Sequence, residues 1–218
     1  MFKKVTILFL TFLLIQSCDK KEDTISDVAL PTEKSDSLSV KKTATYSTAV
    51  LDNWMDYYNK NVATIRAENF STEESFKLVR TESTTIPIWN KNFNPVYKDF
   101  LIYNADSTMY VDIDSYKWGF DDKGLLVINP DQEIVLVNIP EKKSERLLFY
   151  GPSYWVEDAY FKNDSIVVLL ENSTDRIPAY QEINLKSNTS KYFLYDKSLD
   201  SESDYYKNRI SRIYPKMP

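Results

Sequence analysis

Leu125-Leu126-Val127-Ile128-Asn129-Pro130-Asp131-Gln132-Glu133-Ile134-Val135-Leu136-Val137 decides the fold: two short apolar runs joined by a turn. Asn129-Pro130-Asp131-Gln132 puts proline at the second position of a type I turn, where its fixed φ fits. Each run is aliphatic, too short for a helix and the right length for a strand. The pattern extends in both directions. Upstream, Phe100-Leu101-Ile102-Tyr103, the turn Asn104-Ala105-Asp106-Ser107, Met109-Tyr110-Val111-Asp112-Ile113-Asp114 and the turn Asp121-Asp122-Lys123-Gly124 precede it. Downstream come Leu147–Tyr150, Val156–Phe161, Ile166–Leu170, Ala179–Leu185 and Tyr192–Tyr195. Strands and turns this short pair as antiparallel hairpins, because a parallel crossover takes about a dozen residues or more.

Before this region the period changes. Leu51, Met55, Tyr58, Val62 and Ile65 are spaced four, three, four and three, with Trp54 beside the stripe. That is one apolar face of a helix, packed on the domain, with Ser47 or Thr48 able to cap its start. Ser71-Thr72-Glu73-Glu74 has capping-box spacing, which predicts a short second helix through about Val79. Near the C-terminus, Tyr206, Ile210 and Ile213 follow helical spacing. Glu202 and Asp204 lie early and Arg209 and Arg212 late, an order that suits the helix dipole.

A weak internal repeat runs through the β region. At an offset of 46, Asn138-Ile139 matches Asn184-Leu185, Ser144 matches Ser190 and Leu147-Leu148 matches Phe193-Leu194. At an offset of 41, Leu125–Ile128 aligns with Ile166–Leu169, with an insertion around Ser173–Arg176 making up the difference. Such a unit is the size of a propeller blade, but two units cannot close a propeller. The expectation is an α+β, mainly β fold: an antiparallel meander of about 8–10 short strands, blade-like, sandwich or barrel. An N-terminal helix and a short C-terminal helix accompany it.

Composition narrows the chemistry. The 218 residues include no His, one Cys and three Gly. Catalysis by Ser-His or Cys-His pairs is excluded, as are His-ligated metals, zinc sites of several cysteines and internal disulfides. Gly119 and Gly124 have the glycine spacing of a phosphate-binding loop, but Leu125-Leu126 follow where Lys and Ser/Thr are required. The three glycines, Gly119, Gly124 and Gly151, therefore read as turn residues beside strand breaks.

The N-terminus carries an address. Met1-Phe2-Lys3-Lys4 is basic, Val5 to Ile15 is an apolar run, and Gln16-Ser17-Cys18 ends it. A basic start, a short apolar core and a small residue before the cut make a secretory signal. The run is shorter than the ~20 residues that span a bilayer. Leu14-Ile15-Gln16-Ser17-Cys18 resembles a bacterial lipoprotein signal, and Asp19-Lys20-Lys21-Glu22-Asp23 looks like the export signal of surface lipoproteins of Bacteroidota. The resemblance implies cleavage before Cys18, lipidation of Cys18, and an outer-membrane location facing the cell exterior.

The implied organisation is a signal peptide over 1–17, a lipidated Cys18 with a flexible tether over 18–45, and one globular domain over 46–218. Within that domain, 46–80 is helical, 86–195 β-rich and 201–214 the C-terminal helix. The tether is polar and buries little, and its reach is on the order of 30 Å. Acyl chains contribute ~0.8 kcal/mol per buried methylene, so two or more hold stably. Removing Lys3 and Lys4 leaves 25 basic residues against 32 acidic, a net charge of −7. That disfavours a nucleic-acid partner, which needs a basic patch.

Candidates for chemistry are acids and aromatics. Asp112 and Asp114 alternate, so on a strand they face one side, and with Asp121 and Asp122 they form an acidic cluster. Paired carboxylates can serve glycoside cleavage or hold Ca²⁺. Glu157 and Asp158, adjacent on a strand, would face opposite sides. Asp200, Glu202 and Asp204 alternate like a calcium loop but lack its glycine and closing Glu. Trp89, Trp118, Trp155, Tyr116, Tyr154 and Tyr160 lie near strand ends and suit either cross-strand packing or an exposed platform. Asp23-Thr24-Ile25, Asp36-Ser37-Leu38, Asp106-Ser107-Thr108 and Asp164-Ser165-Ile166 look like the Asp-Ser/Thr-aliphatic O-glycosylation sites of exported Bacteroidota proteins. No residue is assigned as catalytic, cofactor-binding or metal-ligating. Taken together, the residues read as a surface-exposed lipoprotein that meets the bilayer through acylated Cys18 and binds a protein or glycan without a cofactor. The alternatives are a carboxylate-based hydrolase or cation-dependent module, and a periplasm-facing accessory lipoprotein.

Overall fold

The computed structural model describes residues 48–215. The signal peptide, Cys18, the tether, Ser47 and the first two Asp-Ser/Thr triplets lie outside the described residues. From the N-terminal side come α1 (Ala49–Asn61), β1 (Phe70–Lys77), β2 (Thr81–Glu82), β3 (Ile102–Tyr103), β4 (Met109–Asp112), β5 (Trp118–Phe120) and β6 (Leu126–Ile128). Then follow β7 (Gln132–Asn138), β8 (Lys143–Tyr150), β9 (Tyr154–Asn163), β10 (Ile166–Ser173), β11 (Ala179–Asn184), β12 (Thr189–Tyr195) and α2 (Tyr205–Ile213). The fold is mainly β, every strand pairing is antiparallel, and no sheet closes into a barrel.

Two five-stranded sheets stack face to face. One has the order β1-β12-β11-β10-β9 and the other β2-β8-β7-β4-β3, with β5-β6 as a separate ribbon. Each large sheet is thus a four-strand meander whose last strand is flanked by a strand from the 70–82 segment. Val111, Ile113, Ile134, Leu136 and Leu147 of one sheet pack between the sheets against Val156, Ala159, Phe161, Val167, Leu169 and Ile183 of the other. The outer faces are also covered. Trp54 and Tyr58 of α1 pack on Tyr160, Val168, Leu170 and Tyr195. Ile88, Trp89 and Phe93 cover Tyr110, Val135 and Val137. This explains the unbroken apolar runs. In β7 and β10 alternate residues point into different cores, so neither face is polar.

A buried Gln132 ties the two sheets together. Its Nε2 donates to Ile113 O at 2.8 Å and Val156 O at 3.2 Å, and its Oε1 accepts from Val156 N at 2.7 Å. On the outer face Glu133 accepts from Arg146 Nε at 2.8 Å and Thr84 N at 3.1 Å, which anchors the covering segment. These bonds and the Arg146 guanidinium hold the Glu133 carboxyl below its usual range, against the opposing effect of burial.

The 46-residue offset falls on two hairpins of the same build. Asn138 pairs with Lys143 and Asn184 with Thr189, and each four-residue loop ends in a left-handed residue, Lys142 at φ 49° and Asn188 at φ 53°. The 41-residue offset fails. It aligns β6, in the inserted ribbon, with β10, whose counterpart by position in the meander is β4. The ribbon adds residues to one unit only, so no constant offset can span it.

The predicted second helix is a strand. Phe70–Lys77 lies along β12 from Phe70↔Tyr195 to Lys77↔Thr189, with a bulge between Thr72 and Ser75. The capping spacing supplies a start, but the segment has no apolar stripe to bury as a helix. Pairing with the free edge of β12 satisfies its backbone instead. The first helix is shorter than its stripe. It ends at Asn61, and Ile65 reaches the same core from the loop. Trp54, expected beside the stripe, is at its centre and fully buried, and Thr48 makes no side-chain capping bond. Gly119 sits inside β5 opposite Val127 rather than at a break. Gly124 is the turn residue expected, with φ 78°. Gly124→Ala is expected to cost about 1 kcal/mol, since the left-handed region strains any L side chain, and urea denaturation measures it.

Candidate functional site

The most unusual feature of the sandwich is a bulge in β9. Across β10, Asp158 pairs with Leu170 and Val156 with Glu171, which leaves Glu157 as an extra residue. A bulge turns two adjacent side chains toward the same face. Glu157 and Asp158 therefore do not face opposite sides as their adjacency predicts. Both point to the helical side of the sheet, while Val156 and Ala159 fill the core between the sheets.

The two carboxyls fix the two helices. Glu157 Oε2 accepts from Trp54 Nε1 at 2.7 Å and Tyr58 OH at 2.8 Å, both on α1, and Asn172 Nδ2 donates to Tyr58 OH at 2.7 Å. Asp158 Oδ2 accepts from Tyr205 OH on α2 at 2.8 Å. Burial pushes both carboxyls up; the Arg209 guanidinium opposes it at Asp158 and the Trp54 and Tyr58 donors oppose it at Glu157. Ser203 and Trp155 flank Glu157 as well, yet its Oε1 takes no well-formed hydrogen bond among the described residues.

Asp114 also binds α2. Its Oδ1 accepts from Trp118 Nε1 at 3.0 Å, from Tyr206 OH at 3.2 Å and from Arg209 Nη2. Arg209 is 3% exposed and its guanidinium lies over the rings of Tyr206 at 5.4 Å and Phe100 at 5.9 Å. The strand carrying Asp112 stops there. Asp112 Oδ1 accepts the N–H groups of Asp114 and Ser115, both at 2.9 Å, so Asp112 shapes the turn that aims Asp114 at Arg209. Asp112 and Asp114 do not converge on a cleft as an acid–base pair. Asp121 likewise caps a turn, accepting from Lys123 N and Leu125 N. Among the described residues no group of three or more His, Cys, Asp or Glu could hold a metal ion.

Next to this network a cleft of about 330 Å³ opens between the β8–β9 turn, the end of β6 and the start of α2. Tyr206 and Lys117 are its buried lining, Trp155, Ile128 and Ser203 are half-buried, and Asn129, Glu202, Asp204 and Lys207 are exposed at its edge. Lys117 Nζ donates to Pro130 O at 2.9 Å, and Lys207 pairs with Asp204 at 2.8 Å. The aromatics named from sequence divide. Trp118 and Tyr160 are core, Trp89 covers a sheet, Tyr154 is 46% exposed, and Trp155 alone of them lines this cleft. Tyr116 packs edge-on to Phe149 beneath Arg146 on a separate patch. Glu202 and Asp204 line the cleft, whereas Asp200 is absent from its lining. Of the two Asp-Ser/Thr triplets within the described residues, Asp106-Ser107-Thr108 lies in the β3–β4 turn, with Thr108 N donating to Asp106 Oδ1, and Asp164-Ser165 makes the β9–β10 turn, Ile166 opening β10.

Sequence reasoning missed Glu171, Arg209 and the cleft. An acid continuing the apolar run Ile166–Leu170 was the available signal for Glu171, since a solvated acid breaks such a run. No family model, curated protein or solved structure matches this chain significantly.

Proposed function

We propose that this protein is a lipid-anchored binding module of the outer membrane, held by an acylated Cys18 and facing the cell exterior. The cleft beside Trp155 carries the binding reading. It joins apolar rings with carboxylate, amide and ammonium groups in one concave site, the composition of small-ligand pockets. The buried acids of the domain support that reading rather than hydrolysis. Glu157, Asp158 and Asp114 each hold a helix through donors from Trp54, Tyr58, Tyr205 and Arg209. The anchor rests on Leu14–Cys18 and the charged residues behind it, which resemble a surface lipoprotein signal. No described helix is long and apolar enough to cross a membrane. The acidic balance argues against nucleic acid as partner.

Cys18→Ala tests the anchor. The variant is expected to lose incorporation of a labelled fatty acid and to leave the membrane fraction for the soluble one. An acylated, membrane-bound variant contradicts the assignment.

A further inference from the structure

We propose that the cleft between the β8–β9 turn and the start of α2 binds a neutral saccharide, with Trp155 as its stacking platform. The inference rests on the binding-module reading and adds the ligand class.

Three observations point to it. Trp155 stands on β9 two residues before the buried Glu157, is half-buried, and lines the cleft with its remaining surface. A half-buried indole with only two rotatable bonds is a rigid apolar surface with little rotamer entropy left to lose. The C–H face of a pyranose is the natural complement of such a ring.

The charges of the cleft are balanced internally. Glu202 and Asp204 stand against Lys117 and Lys207, and both ammonium groups already have partners, Pro130 O at 2.9 Å and Asp204 at 2.8 Å. Two acids against two ammonium groups leave the cleft no net charge to favour a phosphate, a uronate or a cationic peptide over a neutral ligand. What remains is a set of acceptors and donors suited to hydroxyls. Asn129 is oriented for this by its Nδ2 bond to Tyr116 O at 2.8 Å.

Size and walls agree. About 330 Å³ is at the small end for ligand sites, which suits a terminal mono- or disaccharide unit. A bound peptide uses a free strand edge or an apolar slot, and here the walls are turns and a helix start.

The test is a heteronuclear NMR titration of the soluble Cys18→Ala protein. The probes are neutral disaccharides covering glucose, galactose, mannose, fucose and N-acetylhexosamine ends, with galacturonate, inorganic phosphate and a glycine dipeptide as comparators. At least one neutral disaccharide is expected to shift the Trp155 indole N–H and the amides of Lys117 and Ser203–Lys207 in a saturable way. Trp155→Leu and Glu202→Gln should each weaken that binding about tenfold or more, and Tyr154→Ala should leave it unchanged. Glu202 is exposed, so its variant keeps the test sound if Trp155→Leu fails to fold. If a comparator shifts these signals and no sugar does, the saccharide assignment falls and the binding site stands. If no probe shifts them, both fall.

Discussion

Arg209→Met is expected to lower the unfolding free energy by about 3–5 kcal/mol, because it leaves a buried carboxylate without its cation. Asp114 has no exposed side-chain surface, and its Oδ2 is already without a partner among the described residues. Among the described residues its Oδ1 has one charged donor, Arg209, together with Trp118 and Tyr206. Asp158 also loses the guanidinium that opposes the effect of its burial. The loss is larger than a surface ion pair would give, since the exposed Lys207–Asp204 pair is worth at most ~1 kcal/mol. The double variant Arg209→Met/Asp114→Leu should recover part of the loss, because the uncompensated charge is gone. Urea denaturation of the two singles and the double measures this. A double variant as unstable as the sum of the singles shows that the pair is not what holds α2 in place.

The second large effect concerns pH. Glu171 lies between the sheets, 1% exposed, and burial pushes its carboxyl up to about 8, with the hydroxyls of Tyr150 and Tyr192 opposing the shift. The hydrogen bonds give an independent reason for a neutral acid. Tyr150 OH lies 2.9 Å from Glu171 Oε1 and 3.2 Å from Gln181 Oε1, and one phenol proton cannot serve two acceptors fully. A protonated Glu171 donates to the Tyr150 oxygen, and Tyr150 then donates to Gln181.

The folded state therefore keeps a proton that the unfolded chain, titrating near 4.5, gives up. Stability is fully present below about pH 4.5, falls as pH rises toward 8, and is flat above that. At 1.36 kcal/mol per unit the loss from this group approaches roughly 5 kcal/mol. Glu171→Gln repeats the neutral donor and should remove this slope. Its stability should match wild type near pH 5 and exceed it near pH 9. The raised carboxyls of Glu157, Asp112 and Asp158 act in the same direction and leave a smaller residual slope. Unfolding free energies across that range decide the matter, and a variant with the wild-type slope would falsify the assignment.

The central strands could be read from sequence because burial on both faces makes them unbroken apolar runs, as in Ile134–Val137 and Ile166–Leu170. The turns between them were readable from residue type, because Asn, Asp, Pro and Gly have the backbone preferences that a chain reversal needs. The edge strand Phe70–Lys77 was not, because its identity comes from its partner β12 rather than from its own period. Nor was the site. The bulge at Glu157 follows from the register of β9 on β10, which is a property of two strands together. Arg209 matched a dipole-friendly surface position in its helix, and only the tertiary placement of Asp114 makes it a buried partner. Trp155 stood out by residue type alone; the residues that make a cleft around it, such as Lys117, Ile128 and Tyr206, come from segments far apart in the chain.

Protease treatment of intact cells tests the central claim, that an anchored domain is displayed outward for binding. Protease is expected to cut within the polar segment 19–45 and to release a folded fragment of about residues 46–218 into the medium, with the lipidated remnant left in the membrane. A protein that stays intact until the outer membrane is permeabilised would contradict it.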